Sequence, residues 1–528
     1  MKHYTGTGHL VRLILRRDRL ILPAWILGNA TMALFSANAV IDFYSDDRQI
    51  ALYSRMMGDN ITNLIMAGRE AGLDTIGGIA VNEVSFMAGI LISLMVLFTV
   101  VRHTRSDEEA GRTELVRSTV VGRHAPVLAA LTVAILASVM TGALIAGAFI
   151  VAGVEAGGSL AFGASLAGLG VVFASSAAVA AQVSVTGRGA LGIGGAVIAI
   201  TFAIRGIAAI RDSPAVWLSP FGWAQAVESF GERRWWVLLV LVTGAALGFL
   251  LTAALGSRRD VGGGLLEPKL GRPRASGLLS TDTGFVWRTQ RGLIFGWGAL
   301  LLLLAALYGS IVTQVPEMLE QNPEAAAMFG DGAAGEALID FFVAYISRFQ
   351  ASLLAAFTVM SVLRLRTEEQ SGRAEAHLAT AVPRWRWASA NLLVSGLATV
   401  VLLTLVALTF GGVYALMDGN SNHLWLGLSG ALVQLPAIAV VASGAFAIWG
   451  WTSTAWGWLV FACALVQTML SDLLRFPDWL SALSPFWHTP AVPAESAEAW
   501  PLVILSLVAA ALLALGFLGL RRRDIVTT

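Results

Sequence analysis

Charged side chains are scarce in this chain, 13% of 528 residues, and those with regular spacing fall in two matching clusters. The first is Arg105-Ser-Asp-Glu-Glu-Ala-Gly-Arg112-Thr-Glu114. The second is Arg366-Thr-Glu-Glu-Gln-Ser-Gly-Arg373-Ala-Glu375. Both keep the pattern Glu-x-x-Gly-Arg-x-Glu. Glu108, Gly111, Arg112 and Glu114 carry it in one copy, and Glu369, Gly372, Arg373 and Glu375 in the other. An acid four residues before a base shares a helix face with it. That predicts Glu108–Arg112 and Glu369–Arg373 pairs, each worth about 0.2–0.5 kcal/mol. Fixed charges of this kind select a protein partner rather than break a bond. A glycine admits close approach of the partner. The plainer alternative is a solvated helix capping two membrane spans. The spans around the two copies have diverged while the pattern is kept, which favours a docking element.

Catalytic chemistry finds no support. The only lysines, Lys2 and Lys269, do not sit in a glycine-rich phosphate loop. His3, His9, His103, His124, His377, His423 and His488 are scattered, so neither a metal site nor a hydrolytic triad is predicted. A net charge of +1 excludes a nucleic-acid binder. Cys463 is the only cysteine, so no intrachain disulfide forms.

The elements that position these clusters are membrane helices. Hydrophobic residues make up 56% of the chain and mean hydropathy is +0.72. A span needs about 20 apolar residues. About twelve runs qualify: 20–42, 84–102, 125–153, 159–184, 189–210 and 235–256, then 292–313, 341–363, 389–416, 424–448, 455–471 and 500–520. The runs are continuous and too long for barrel strands, so the fold class is an all-α membrane protein. Basic residues cluster at both termini, after the second run and in the mid-chain linker. The positive-inside rule then puts both termini in the cytoplasm, in a plasma (inner) membrane. The other side leans acidic. Its segments 43–83 and 314–340 are too polar to span, and Ile50–Met57 and Met318–Phe329 read as amphipathic surface helices.

The chain contains itself twice. The charged clusters match at an offset of 261, extending to Arg123 over Arg384. Leu218-Ser-Pro-Phe221 matches Leu483-Ser-Pro-Phe486, and Arg258-Arg259-Asp260 matches Arg522-Arg523-Asp524. More weakly, Arg16, Arg19 and Trp25 match Arg288, Arg291 and Trp297. Two parallel six-helix repeats result, 1–256 and 285–528, joined by a cytoplasmic linker at 257–284. Parallel repeats share an axis along the membrane normal, the natural place for a pathway.

On these residues the chain resembles ABC-2-type permeases, the membrane subunits of ATP-binding-cassette exporters. Their six-span halves begin with an interfacial elbow helix and carry a coupling helix between spans two and three. That coupling helix is similar to Glu108–Thr119. The fused two-half form, rich in Ala, Gly, Leu and Arg, resembles actinobacterial permeases of polyketide-antibiotic (tetronasin-type) exporters. The second copy departs from the first: Ala376 stands over Leu115 and Leu378 over Arg117. The resemblance implies no cofactor in this chain, with ATP and Mg on two copies of a separate ABC ATPase subunit. It implies export of hydrophobic or amphipathic compounds such as antibiotics, drugs or lipids. The alternative is an ion- or proton-coupled secondary transporter, which needs a carboxylate buried within a span.

Arg12, Arg16 and Arg19 fit the first elbow, and Arg288 and Arg291 a shorter second one. Each elbow is otherwise a plain positive-inside anchor. Within the spans, Arg205, Arg348, Gln182, Gln434 and Gln467 are candidate pathway groups. Snorkelling or structural pairing competes with that reading for the two arginines. The small residues Gly163, Ala167, Gly170, Ala174 and Ala178 predict close helix packing for span four.

Overall fold

The computed structural model describes residues 4–44, 46–258, 263–265, 274, 276–314, 336–452, 454, 456–474 and 478–524. Among these residues every regular element is a helix. The chain divides into two compact units, Met1–Gly271 and Arg272–Thr528.

The first unit runs α1 (Thr7–Arg17), α2 (Ile21–Phe43), α3 (Asp47–Gly58), α4 (Ile61–Met66), α5 (Ile76–His103), α6 (Arg105–Glu109), α7 (Arg112–Arg117), α8 (Ala125–Ala152), α9 (Ala156–Val183), α10 (Gly187–Ile210), α11 (Pro220–Gln225) and α12 (Val237–Ser257). The second runs α13 (Asp282–Ile311), α14 (Glu336–Val362), α15 (Arg364–Gln370), α16 (Arg373–Leu378), α17 (Arg384–Asp418), α18 (His423–Leu432), α19 (Leu435–Thr452), α20 (Gly457–Leu474), α21 (Asp478–Ser481) and α22 (Ala499–Arg522).

Eleven helical stretches among the described residues are long and apolar enough to cross a membrane, where about twelve were expected. The difference lies in the second unit. There α18 and α19 form one broken stretch, His423–Thr452, in place of the 424–448 span. Helix α20 covers the 455–471 run without being one of the eleven. The protein is thus a multi-pass all-α membrane protein.

In the first unit α9 is the central helix, packed by α5, α8, α10 and α12. Its small-residue stripe is the cause. Ala174 and Ala178 are fully buried, and α8 and α9 approach backbone to backbone. A Cβ on Gly142 would run into the Gly163 carbonyl, and one on Gly163 into the Gly142 carbonyl. Van der Waals contact through small residues replaces the hydrophobic effect as the drive for helix association in lipid. In the second unit α19 lies against α22 and α14, and α13 against α17.

At the end of the first unit away from α1, α3 and α4 cover the start of α5. The span begins at Ile76 rather than 84, so Glu83 lies inside it. Tyr53 of α3 donates to Glu83 Oε1 at 2.5 Å and accepts from Asn82 Nδ2 at 2.8 Å. The amides of Asn63 and Asn82 exchange hydrogen bonds at 3.1 and 2.9 Å. Burial, reinforced by the Glu83 charge, pushes the Tyr53 phenol far above its usual range. Tyr53→Phe leaves Glu83 and Asn82 each short of a partner, at a cost of about 1–3 kcal/mol. Thermal unfolding in detergent, followed by tryptophan fluorescence, should show a lowered midpoint. An unchanged midpoint would mean that α3 is not fastened through this hydroxyl.

The Leu-Ser-Pro-Phe repeats each bring proline into a short helical turn. In the first copy a 3-10 turn Pro214–Leu218 runs into α11, which starts at Pro220. In the second a 3-10 turn covers Pro485–His488. The helix expected at Ile50–Met57 is part of α3. The one expected at Met318–Phe329 lies outside the described residues.

Candidate functional site

The two charged clusters fold alike. In each, a short helix ends, a glycine takes a left-handed conformation, and a second short helix begins. Helix α6 is followed by Gly111 at φ 72° and then α7. Helix α15 is followed by Gly372 at φ 70° and then α16. Only glycine adopts this φ without strain, so the invariant glycine is the corner of the element. The corner overturns the predicted pairing. Because Gly111 breaks the helix, Glu108 and Arg112 do not share a face. Arg112 instead reaches back to Asp107, Nη2 to Oδ1 at 2.6 Å. Its counterpart Arg373 lies 3.7 Å from Glu368, and Glu368 occupies the position of Asp107.

Glu108 meets a buried arginine and Glu369 a partly buried one. Arg105 Nη1 donates to Glu108 Oε2 at 2.8 Å, and its Nε to the Val185 carbonyl at 2.6 Å. Glu369 is held by both terminal nitrogens of Arg523, at 2.5 and 2.8 Å. The Arg523 guanidinium also lies 4.7 Å from the Trp449 ring centre. The same carboxylate position is therefore fastened locally in one unit and to the C-terminal end of the last span in the other. Arg112, Glu114 and Leu115 stay exposed, as do Arg373, Glu375 and Ala376.

The segment expected as the first elbow is α1 with the turn after it, where Arg12, Arg16 and Arg19 are exposed and Ile14 is buried. Sequence reasoning missed how it is anchored. Arg17 donates to Asp107 at 2.8 Å. Asp18, only 2% exposed, lies 2.6 Å from His103 Nε2 and 3.1 Å from Arg102. Helix α1 with the turn after it, the end of α5 and the α6–α7 corner thus share one charge network with Asp107 at its centre. The second elbow is not a separate helix. Phe285–Arg291 is continuous with the first span as part of α13, where Arg288 and Arg291 are exposed. No break residue separates them from the apolar run. At the position of Asp18 stands Gln290, fully buried and bonded to Ser361.

A further tie recurs in both units. Arg123 at the entry to α8 donates to the Gly256 carbonyl at 3.2 Å, and Arg384 at the start of α17 to the Arg523 carbonyl at 2.9 Å. Each closes the start of the third span onto the end of the last, where helix carbonyls lack intrahelical partners.

Within the first unit the two expected pathway residues, Arg205 and Gln182, line different cavities. Arg205, 3% exposed, donates to the Ile65 and Met66 carbonyls at 3.1 and 2.7 Å and stacks 4.5 Å over Phe202. It fastens the end of α4 to α10. Arg348 bonds the Thr489 carbonyl at 3.2 Å, and Thr489 Oγ1 donates to Gln434 at 2.9 Å. Gln434 sits at the break between α18 and α19, within the membrane-length stretch His423–Thr452. So Arg348 and Gln434 share a neighbour, while Gln182 and Gln467 are buried elsewhere.

Arg205 also faces Glu70, which sequence reasoning passed over as an outer-segment acid. Both line a cavity of about 40 Å³ with Ser85 and Gln225. Burial pushes the Glu70 carboxyl up to about 7, against the opposite pull of the Arg205 charge. A folded-state pKa above the unfolded one stabilises the fold at low pH, and this is lost as pH rises through the folded value. Stability should therefore fall between about pH 5 and pH 7.5, by about 1–2 kcal/mol after discounting for partial exposure. Glu70→Gln should flatten that slope. A slope unchanged in the variant would assign it to another group.

The comparisons agree with this architecture. Residues 279–521 match the family described as multidrug efflux system permease Rv1217c, C-terminal domain. Across nearly its whole length the chain is similar to the multidrug efflux system permease protein Rv1217c of Mycobacterium tuberculosis. The two are 36% identical over 532 residues, covering 99% of this chain and 96% of the relative. With eleven membrane-length helical stretches among its described residues and 36% identity over nearly its whole length to a permease of that kind, the chain belongs to the family of multidrug efflux system permeases.

Proposed function

We propose that the chain is the permease subunit of an ATP-driven ABC-2-type exporter. Its cargo is hydrophobic or amphipathic, antibiotics and drugs first and lipids second. Two copies of a separate ABC ATPase, carrying ATP and Mg, dock on the helix–glycine–helix corners at Gly111 and Gly372. Both termini and both corners face the cytoplasm. The observation that carries the reading is the doubled corner. Two segments 261 residues apart fold into the same left-handed glycine turn, and each presents an exposed Arg-x-Glu. Partner-directed surfaces use such fixed charges for choice and orientation.

The two arginines near membrane depth, Arg205 and Arg348, are bonded to backbone carbonyls, and the cargo route is read as mainly apolar. Polyketide antibiotics are the first compounds to try. The chain, co-expressed with an ABC ATPase and purified in lipid nanodiscs, should retain the ATPase and hydrolyse ATP faster when hydrophobic drugs are added. Failure to retain any ABC ATPase, or hydrolysis indifferent to every such drug, would sink the proposal. One observation favours the proton-coupled alternative: Glu83 lies within α5, with Glu70 at the same end of the unit. Uptake into inverted vesicles driven by a pH gradient without ATP would support it.

A further inference from the structure

We infer that the second unit holds a binding site for an anionic phospholipid, in a groove between the start of α17 and the end of α22. The groove measures about 940 Å³, at the upper end of the range of about 300–1,000 Å³ usual for small-molecule sites. Arg384 and Trp385 of α17 and Arg521 of α22 stand at one end of it, and Phe517 and Leu518 lead away along α22. A second cleft of about 500 Å³ adjoins it across Ser389 and Phe517, with Leu393 and Leu513 in its wall. A charged end with two adjoining apolar clefts matches a lipid with one head and two chains. From Arg384 to Leu393 helix α17 rises about 13 Å, close to the ~15 Å of hydrocarbon in one leaflet.

The polar end of the groove is positive. Among the described residues no acid lines it. Arg384 gives one terminal nitrogen to the Arg523 carbonyl, an uncharged partner. Arg521 is exposed, and among the described residues neither arginine has a carboxylate in ion-pair range. The neighbouring arginines are engaged elsewhere. Arg386 is paired with Asp282 at 2.6 Å, Arg522 lies 5.8 Å from the Trp451 ring centre, and Arg523 holds Glu369. Helix α17 opens after Pro383 without a side-chain cap, so the partial positive charge of its N-terminus adds to the two arginines. A phosphate head without a cation of its own meets all three, whereas the ammonium of a zwitterionic head offsets the gain. The exposed Trp385 suits the level between head groups and chains.

The first unit does not repeat the arrangement. His124 stands at the position of Trp385, Leu128 at that of Ser389 and Ser257 at that of Arg521. The pair Arg384 and Arg521 thus has a single arginine counterpart, Arg123. Basic pockets between membrane helices take anionic head groups, whereas a lone arginine at a helix end is the ordinary flank of a span. A lipid held in the groove bridges the same two helix ends that the bond from Arg384 to the Arg523 carbonyl joins. The inference depends on neither the cargo nor the ATPase proposed above.

The full chain in phosphatidylcholine nanodiscs is photolabelled with phosphatidylglycerol or phosphatidylcholine carrying a diazirine on an acyl chain, each at the same mole fraction. Labelled peptides are mapped by mass spectrometry. The phosphatidylglycerol probe should label 385–393 and 513–518 about tenfold more than the phosphatidylcholine probe, and 124–132 and 249–254 about equally. Each arginine beside an anionic head is worth about fivefold in binding. Arg521→Gln should therefore cut the phosphatidylglycerol label at 385–393 about fivefold and leave the phosphatidylcholine label unchanged. Arg521→Lys should keep most of it. On the unaltered chain, excess unlabelled phosphatidylglycerol should compete and inorganic phosphate should not, so the test survives if a variant fails to fold. Four results would each overturn the proposal: equal labelling by the two probes, the same preference in the first-unit segments, a phosphatidylglycerol label indifferent to Arg521→Gln, or competition by inorganic phosphate, which would make the groove a site for free phosphate.

Discussion

A chain carrying Glu114→Lys and Glu375→Lys together should fold normally and lose the ABC ATPase proposed to dock at the two corners. Both glutamates are exposed on the second short helix of their corner. Exposed substitutions of this kind shift stability by about 0.5 kcal/mol or less. Reversed charge at a docking surface costs several kcal/mol through like-charge contact, so capture should fall about 100-fold or more. Co-purification of the ATPase reads the loss, and an unchanged elution profile of the permease reads the intact fold. Undiminished capture would remove the corners from the docking surface. Glu108 and Glu369 would be the wrong pair for this test, because each is bonded to an internal arginine. Their reversal confounds docking with folding.

The second large effect follows from that difference. Glu369→Gln strands Arg523, which is 12% exposed and holds Glu369 through both terminal nitrogens. Breaking one side of a buried pair costs about 3–5 kcal/mol, because the other charge stays buried without compensation. Folded yield and thermal midpoint should drop sharply. Glu108→Gln should cost less, about 1–2 kcal/mol, since Arg105 keeps its bond to the Val185 carbonyl. Replacing both members, Glu369→Leu with Arg523→Met, should recover most of the loss, as hydrophobic substitutes for buried pairs do. Equal midpoints for Glu369→Gln and an exposed control such as Glu375→Gln would show that the Glu369–Arg523 pair does not hold the second unit.

What the sequence made legible was what depends on neighbours along the chain. Long apolar runs located some spans to within a few residues: the expected 125–153 is Ala125–Ala152, and the expected 159–184 is Ala156–Val183, whereas the expected 84–102 begins at Ile76 and the expected 292–313 at Asp282. The repeat located both corners. The four-residue spacing misled because it assumed an unbroken helix, and Gly111 was read for close approach rather than for its left-handed turn. Asp18 and His103 stand 85 residues apart, and Glu369 and Arg523 stand 154 apart. No periodicity links such pairs, so the anchoring of the elbow and of the second corner was invisible. Arg205 was found by its rarity in an apolar run, but its carbonyl partners lie 139 and 140 residues away in α4. Gln434 does lie within the membrane-length stretch His423–Thr452, but the break it occupies between two shorter helices was hidden, because they read as a single apolar run.

The tie from Arg123 to Gly256 and its twin from Arg384 to Arg523 bear on how the chain can be cut. Each unit carries its own clasp between its third and last membrane helices, made without the other unit's residues. A polypeptide severed between 266 and 273 keeps both clasps whole. The two fragments, expressed as separate messages in one cell, should each insert and resist proteolysis. Removing a clasp by Arg384→Ala should shorten the lifetime of the second fragment and spare the first. Covalent fusion would then be a convenience of synthesis, ensuring equal numbers of two unlike halves.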